Sequence, residues 1–201
     1  NKRRCIIGQY YMSINLSKKE YMCGHKYDNG IKLMEHSYIE NNFVTTFEHS
    51  IANKPTRIVW AGDYADGEKV NSELNKELEN KSAANTDDEL EGENLFNLCD
   101  DIFKEIQPEE NLTYYRWLIN MDKKQYVDKN KLFTAGDWDI HPLPLLVAEG
   151  NGNGGGDYYD TKSDFHLVGT WARDRIMVTN TDYTETIKNK GYTELITKFQ
   201  E

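Results

Sequence analysis

Twelve residues occur twice in this chain, and a fold must accommodate both copies. Tyr10-Tyr11-Met12-Ser13-Ile14-Asn15-Leu16-Ser17-Lys18-Lys19-Glu20-Tyr21 returns as Tyr115-Arg116-Trp117-Leu118-Ile119-Asn120-Met121-Asp122-Lys123-Lys124-Gln125-Tyr126, without a gap and with half the positions identical. A tyrosine, an Ile-Asn pair, a Lys-Lys pair and a second tyrosine keep their spacing, as expected of two diverged copies of one supersecondary unit. Each copy reads as strand, polar turn, strand. Asn, Ser and Asp suit the turn, and the paired lysines at its tip stay in water and blunt a sheet edge. An anion clamp built from Lys18-Lys19 and Lys123-Lys124 is the competing reading; the solvated turn is preferred.

A second match follows each hairpin in the same order. Arg57-Ile58-Val59 with Asp63-Tyr64 resembles Arg175-Ile176-Met177 with Asp182-Tyr183, allowing one extra residue. The expected fold class is therefore α+β: a pseudo-symmetric duplication of a hairpin-containing unit, with a mostly antiparallel sheet and flanking helices. Residues 8–183 form one domain in this reading, with a first copy over 8–66, an acidic linker and helix over 67–112 and a second copy over 113–183. Residues 184–201 are expected to be a C-terminal helical segment.

The composition narrows the function classes. A hydrophobic share of 38% in 201 residues supports a packed soluble domain with long polar loops. No apolar run approaches the ~20 residues of a membrane span, and the basic start at residues 1–7 lacks the apolar stretch of a signal peptide, so a cytoplasmic location is expected. Cys5, Cys23 and Cys99 have no Cys-x-x-Cys spacing, which argues against a disulfide framework or a cysteine zinc site. A formal charge of −10 disfavours direct binding to nucleic-acid phosphates and favours a basic partner surface.

After the first hairpin, Asp28-Asn29-Gly30 is a hairpin cue leading to an expected strand at Ile31–Ser37. Phe43, Val44, Phe47 and Ile51 recur at helical spacing, predicting an amphipathic helix over 41–53 before Pro55. Arg57–Tyr64 reads as a buried strand ending at a glycine turn. A second helix is predicted from Leu95, Leu98, Cys99, Ile102 and Ile106, all facing inward, with its acids wet. Further strands are expected near Ile140 and at Arg175–Val178, and a short helix at Tyr192–Phe199.

Gly8-Gln9-Tyr10-Tyr11, Lys32-Leu33-Met34-Glu35-His36, Trp60-Ala61-Gly62-Asp63-Tyr64-Ala65-Asp66 and the glycine block Gly150–Asp157 carry a family resemblance. Together with Trp171-Ala172-Arg173-Asp174-Arg175-Ile176, they resemble an uncharacterised family of microbial proteins that open with GQYY or GQYW. The resemblance spans nearly the whole chain and implies functional positions without implying a reaction or cofactor. In it, Arg173 stands where a WAGDRI-type block has glycine.

Several groups of residues could carry chemistry. The run Gly150-Asn151-Gly152-Asn153-Gly154-Gly155-Gly156-Asp157 suits close backbone approach to a ligand, although it lacks the Lys-Ser/Thr ending of a phosphate loop. Gly154, Gly155, Gly156 and Asp157, with Trp171, Arg173 and Arg175, form the expected ligand-binding set, because guanidinium and amide donors suit an anion. Internal salt bridges are the alternative for the arginines. Asp157 with Asp160 and Asp164, or Asp63 with Asp66, could hold a hard cation, but solvated loop carboxylates account for both, and no metal site is assigned. Among five histidines without a His-Glu-x-x-His pattern, His36 and His141 are the candidate catalytic bases, with Asp63 and Asp157 as carboxylate partners.

The leading expectation is a noncatalytic recognition module that binds a small anionic ligand or a protein partner through second-copy loops. A hydrolase or transferase using histidine and carboxylate is one alternative. The other is an acidic inhibitor, of phage type, that occupies the basic groove of a nucleic-acid enzyme through Asp87–Glu93 and Asp100–Glu110.

Overall fold

The computed structural model describes residues 8–65, 95–132, 139–150, 157–158, 165–197 and 199. Within them the fold is α+β, with a mostly antiparallel mixed sheet. The strands are β1 (Tyr11–Asn15), β2 (Glu20–Met22), β3 (Thr56–Gly62), β4 (Lys104–Glu105), β5 (Trp117–Asn120), β6 (Gln125–Asp128), β7 (Ala148–Glu149), β8 (Arg175–Thr179) and β9 (Thr193–Glu194). They run in the order β4-β2-β1-β3-β8-β5-β6-β9, and β7 joins β3 beyond the short β3–β8 contact. The α-helices are α1 (Leu33–His36), α2 (Asn42–Ser50), α3 (Leu95–Ile102), α4 (Pro142–Leu146) and α5 (Thr184–Lys190).

Both repeated stretches form hairpins. Ile14 pairs with Tyr21 in β1–β2, and Ile119 pairs with Tyr126 in β5–β6. Asn15 Oδ1 accepts from the Lys18 amide, while Asn120 Oδ1 accepts from those of Asp122 and Lys123. Lys19 and Lys124 then take left-handed backbone angles, φ 56° and 50°. The side-chain acceptor replaces a missing backbone partner and holds the turn.

The outer partners correspond too. β4 lies parallel to β2 with Tyr21 opposite Glu105, and β9 lies parallel to β6 with Tyr126 opposite Glu194. On the inner side, β3 places Val59 opposite Ile14, and β8 places Met177 opposite Ile119. At the centre β3 and β8 meet antiparallel, with Arg57 opposite Arg175.

Strand alternation sorts the side chains. On one face Trp60, Tyr11, Leu118, Ile176 and Val178 join Phe43 and Phe47 of α2 and Leu143 and Leu146 of α4 in a shared core. On the other, Ile14, Val59 and Ala61 pack with Leu95, Leu98 and Cys99 of α3, and Ile119 and Met177 with Ile187 of α5. The sheet is thus covered by helices on both faces. No helix among the described residues is long and apolar enough to cross a membrane.

The predicted helix over 41–53 is α2, started by Asn41, whose Oδ1 accepts from the amides of Phe43 and Val44. Other segments depart from expectation. Residues 31–37 hold α1 in place of a strand: Glu35 accepts from the Lys32 amide, and Leu33 and His36, three apart, both turn inward. The Asp28 cue ends a 3-10 turn at Gly24–Tyr27, with Asp28 left-handed, and makes no hairpin. The helix predicted through Ile106 stops at Ile102, because Lys104–Glu105 pairs with β2; Ile102 and Ile106 are half-buried and Phe103 is buried in their stead. At the C-terminus the helix precedes the expected place. α5 ends at Gly191, φ 68°, where the Tyr192 amide bonds back to Ile187 O, and β9 follows. The expectation at Ile140 reduces to an isolated bridge with Tyr38.

Candidate functional site

The edge of β3 changes partner along its length. Thr56 and Arg57 face β8, whereas Trp60 and Ala61 face β7, with Trp60 opposite Ala148. On the other edge of β3, Tyr11 stands opposite Gly62. Cross-strand partners share a face, so Tyr11, Ala148 and Gly150 come to the Trp60 side of the sheet. There a cleft of about 290 Å³ opens between Tyr11, Leu33, Ala148, Gly150, Asp157, Tyr158, His166 and Val168. Its size is at the low end of small-molecule sites.

Polar and apolar walls meet in this cleft. The Tyr11 hydroxyl donates to Asp157 Oδ1 at 2.7 Å, which joins the start of the chain to the end of the glycine-rich block. Leu33, Ala148 and Val168 supply aliphatic surface, Tyr158 a buried ring and His166 an exposed imidazole. Beside the cleft lies Gln9, fully buried, with no hydrogen-bond partner for Oε1 or Nε2. A Cβ at Gly62 would stand 2.3 Å from its Nε2, and one at Gly150 would stand 2.5 Å from Nε2 and 2.7 Å from the Tyr11 hydroxyl. Glycine at both positions is what admits the Gln9 amide.

The arginines expected at the same site point elsewhere. Glu149 faces the opposite side of the sheet from Ala148, and Arg173 meets it in a two-pronged pair, Nε to Oε2 at 2.8 Å and Nη2 to Oε1 at 2.7 Å. Arg173 adopts φ 66°, a backbone region that favours glycine. Arg175 pairs with Asp122 across the hairpin turn, Nε to Oδ1 at 2.8 Å. Trp171 is fully buried and donates from Nε1 to Gln125 Oε1 at 2.8 Å. The structure therefore brings Asp157 to the cleft but places the Arg173 guanidinium across the sheet from it, and Trp171 and Arg175 are outside the lining. Gly154, Gly155 and Gly156 lie outside the described residues, as do Asp66, Asp160 and Asp164 of the two suggested cation sites. Among the described residues no group of three or more His, Cys, Asp or Glu side chains converges as a metal site would.

The two candidate histidines are both interior. His36 sits within α1, not at a strand end, and its Nδ1 lies 3.0 Å from Gly30 O, an acceptor, so Nδ1 carries the proton. Its Nε2 then accepts from Trp60 Nε1 at 2.9 Å. Burial holds the ring neutral and pulls its pKa down to about 4, against a smaller opposing effect of the Gly30 carbonyl. His141 caps α4, accepting at Nδ1 from the Leu143 amide at 3.1 Å, and its Nε2 lies 3.2 Å from Glu48 Oε1. With Nδ1 accepting, the neutral ring donates from Nε2 to Glu48.

Both carboxylate oxygens of Glu48 also accept from Lys129 Nζ, at 2.6 and 2.8 Å, with the ammonium against the face of the Tyr114 ring. Burial alone would raise the Glu48 carboxyl, but the Lys129 charge and the hydrogen bonds from His141 and Lys129 reverse the sign and hold it below the usual range. Burial lowers Lys129 against the pull of Glu48; it lowers His141 too, with help from Lys129. This network joins α2, the turn after β6 and α4 inside the protein, with no side of it in the cleft. Asp63 is also outside the lining; its Oδ1 accepts from the Tyr10 amide at 3.0 Å, and burial raises its carboxyl against such bonds.

No pattern in the sequence places Gln9, Tyr11, Tyr158 and His166 together. Gln9 and Tyr11 were visible as part of an opening signature, and Gly62 and Gly150 as two of many glycines; their meeting depends on the β1–β3–β7 pairing. Comparison of the chain with protein-family models, curated protein sequences and solved structures finds no match.

Proposed function

We propose that the protein is a recognition module for a small ligand, bound in the cleft lined by Tyr11, Gly150 and Asp157. The observation that carries this reading is the buried, unpartnered amide of Gln9, packed against Gly150 beside a cleft lined by a phenol–carboxylate pair. Buried polar groups are almost always bonded, and an orphan at a cleft is a feature that a ligand would complete. Among the described residues the lining includes the Asp157 carboxylate and no lysine or arginine, and Arg173 and Arg175 are already paired with carboxylates. A neutral or cationic ligand with hydrogen-bond donors suits these walls better than an anion. The buried, fully bonded rings of His36 and His141 favour recognition over acid–base catalysis at either residue.

The same reading takes the chain as a duplication of one hairpin–helix–strand–helix–strand unit, with a site where the two copies meet. Support comes from the equal registers of Ile14–Tyr21 and Ile119–Tyr126, the parallel outer strands and the antiparallel Arg57–Arg175 pair. Functional residues then come from both copies: Tyr11 from the first and Gly150, Asp157 and His166 from the second.

A thermal-shift screen of nucleosides, sugars, amino acids, polyamines and phosphates tests the site. A binder present at about 100 times its Kd stabilises by roughly 2.7 kcal/mol. At least one class should raise the Tm of the wild-type protein and do so less in Tyr11→Phe, which keeps the ring and deletes the hydroxyl. A shift of equal size in both proteins would place binding elsewhere.

A further inference from the structure

Resting on that recognition reading, we infer that the ligand is a nucleobase or nucleoside, and that Gln9 reads its hydrogen-bonding edge. The amide of Gln9 and the hydroxyls of Ser13 and Thr46 are the buried side-chain polar atoms without a partner among the described residues. Of these, Gln9 adjoins a cleft wall, Gly150.

A carboxamide offers an acceptor and a donor side by side in one plane. That pattern is matched by an edge with a donor next to an acceptor, as when glutamine bonds adenine through two hydrogen bonds. Both amide atoms are shielded from solvent, and turning the side chain about its own bonds towards the cleft breaks no hydrogen bond. The two glycines matter for this movement, since a side chain at Gly62 or Gly150 would occupy the space that the amide needs.

The rest of the cleft suits a planar ring. Leu33, Ala148 and Val168 present apolar surface beside the Tyr158 ring, and about 290 Å³ is too little for an extended polymer. The Tyr11 hydroxyl, donating to Asp157, stands in the wall of the same cleft. Among the described residues the lining holds the Asp157 carboxylate and no lysine or arginine, which weighs against a phosphate and favours a nucleoside over its 5′-monophosphate.

Calorimetric titration of the full chain tests this with adenosine, guanosine, cytidine and uridine, their 5′-monophosphates, and ribose as the sugar control. One or more nucleosides should bind, the matching monophosphate at least tenfold more weakly, and ribose alone not measurably. Gln9→Met should reduce that affinity tenfold or more while leaving the Tm equal or higher, because it removes an unpaired amide. Gln9→Glu, which replaces the donor by an acceptor, should alter the order of preference among the bases. Ribose binding as tightly as the nucleosides, or nucleoside binding unchanged in Gln9→Met, would overturn the assignment. If no nucleoside binds while a polyamine or sugar gives a Tyr11-dependent thermal shift, the nucleobase inference fails and the recognition site stands. If neither experiment finds a binder, both fail.

Discussion

Trp60 Nε1 donates to His36 Nε2 at 2.9 Å, so a fully buried indole and a fully buried imidazole satisfy each other in the core. The bond requires His36 to be neutral. Its native pKa lies near 4, below the ordinary value of 6.5, because burial opposes the charged ring. An unfolded chain takes up this proton below about pH 6.5 and the native one does not until about pH 4, so stability is full above 6.5 and falls as the pH drops through that window. The shift corresponds to roughly 3 kcal/mol. Urea midpoints at pH 7 and pH 4 should differ accordingly, with the lowered His141 adding in the same direction, and His36→Gln should flatten part of the dependence.

Lys129 and Glu48 should behave as a coupled pair. Removing either partner leaves a charge in the interior, which costs about 3–5 kcal/mol, whereas replacing both with similar-sized neutral groups costs much less. Glu48→Gln and Lys129→Met are therefore expected to be severe singly and markedly non-additive in combination. A double-mutant cycle in urea reads the coupling directly; additive losses would contradict the ion-pair geometry.

Arg173 combines two opposed effects: a left-handed backbone that favours glycine and a two-pronged pair with the nearly buried Glu149. Arg173→Ala keeps the strain and loses the pair, at an expected cost of roughly 2–3 kcal/mol. Arg173→Gly relieves the strain and should be milder than the alanine change by about 1 kcal/mol. Equal Tm values for the two variants would remove the backbone from the account.

Lys19 and Lys124 occupy the same left-handed position of the two hairpin turns. Glycine at either should leave stability unchanged or raise it by up to ~1 kcal/mol, and by similar amounts, since the same turn is relieved in each. Opposite signs in chemical denaturation would show that the turns are energetically unlike.

In α3 the burial differs along the stripe. Leu98 is 3% exposed, while Ile102 is half-buried at the helix end. Leu98→Ala should cost about 2–5 kcal/mol and Ile102→Ala distinctly less. The ranking of the two urea midpoints decides it.

The sequence by itself determined what depends on near neighbours. The asparagine–lysine turns, the Asn41 cap and the 3.6-residue stripes of α2 and α3 act within a few positions, so periodicity and turn chemistry reveal them. Tertiary structure decided the rest. β4 and β9 are two residues long and exist as strands because β2 and β6 offer them open edges, which no local pattern records. The 33–36 turn is helical because Leu33 and His36 both find the core beneath it. The alternation of β7 beside β3 sends Glu149, and with it Arg173, to one face and Gly150 to the other, so neighbours in sequence were separated by the sheet. Gln9, Tyr11, Gly62, Gly150 and Asp157 met for the converse reason: strand register between distant segments fixes which side chains share a face, and register is a property of the pairing, not of either strand alone.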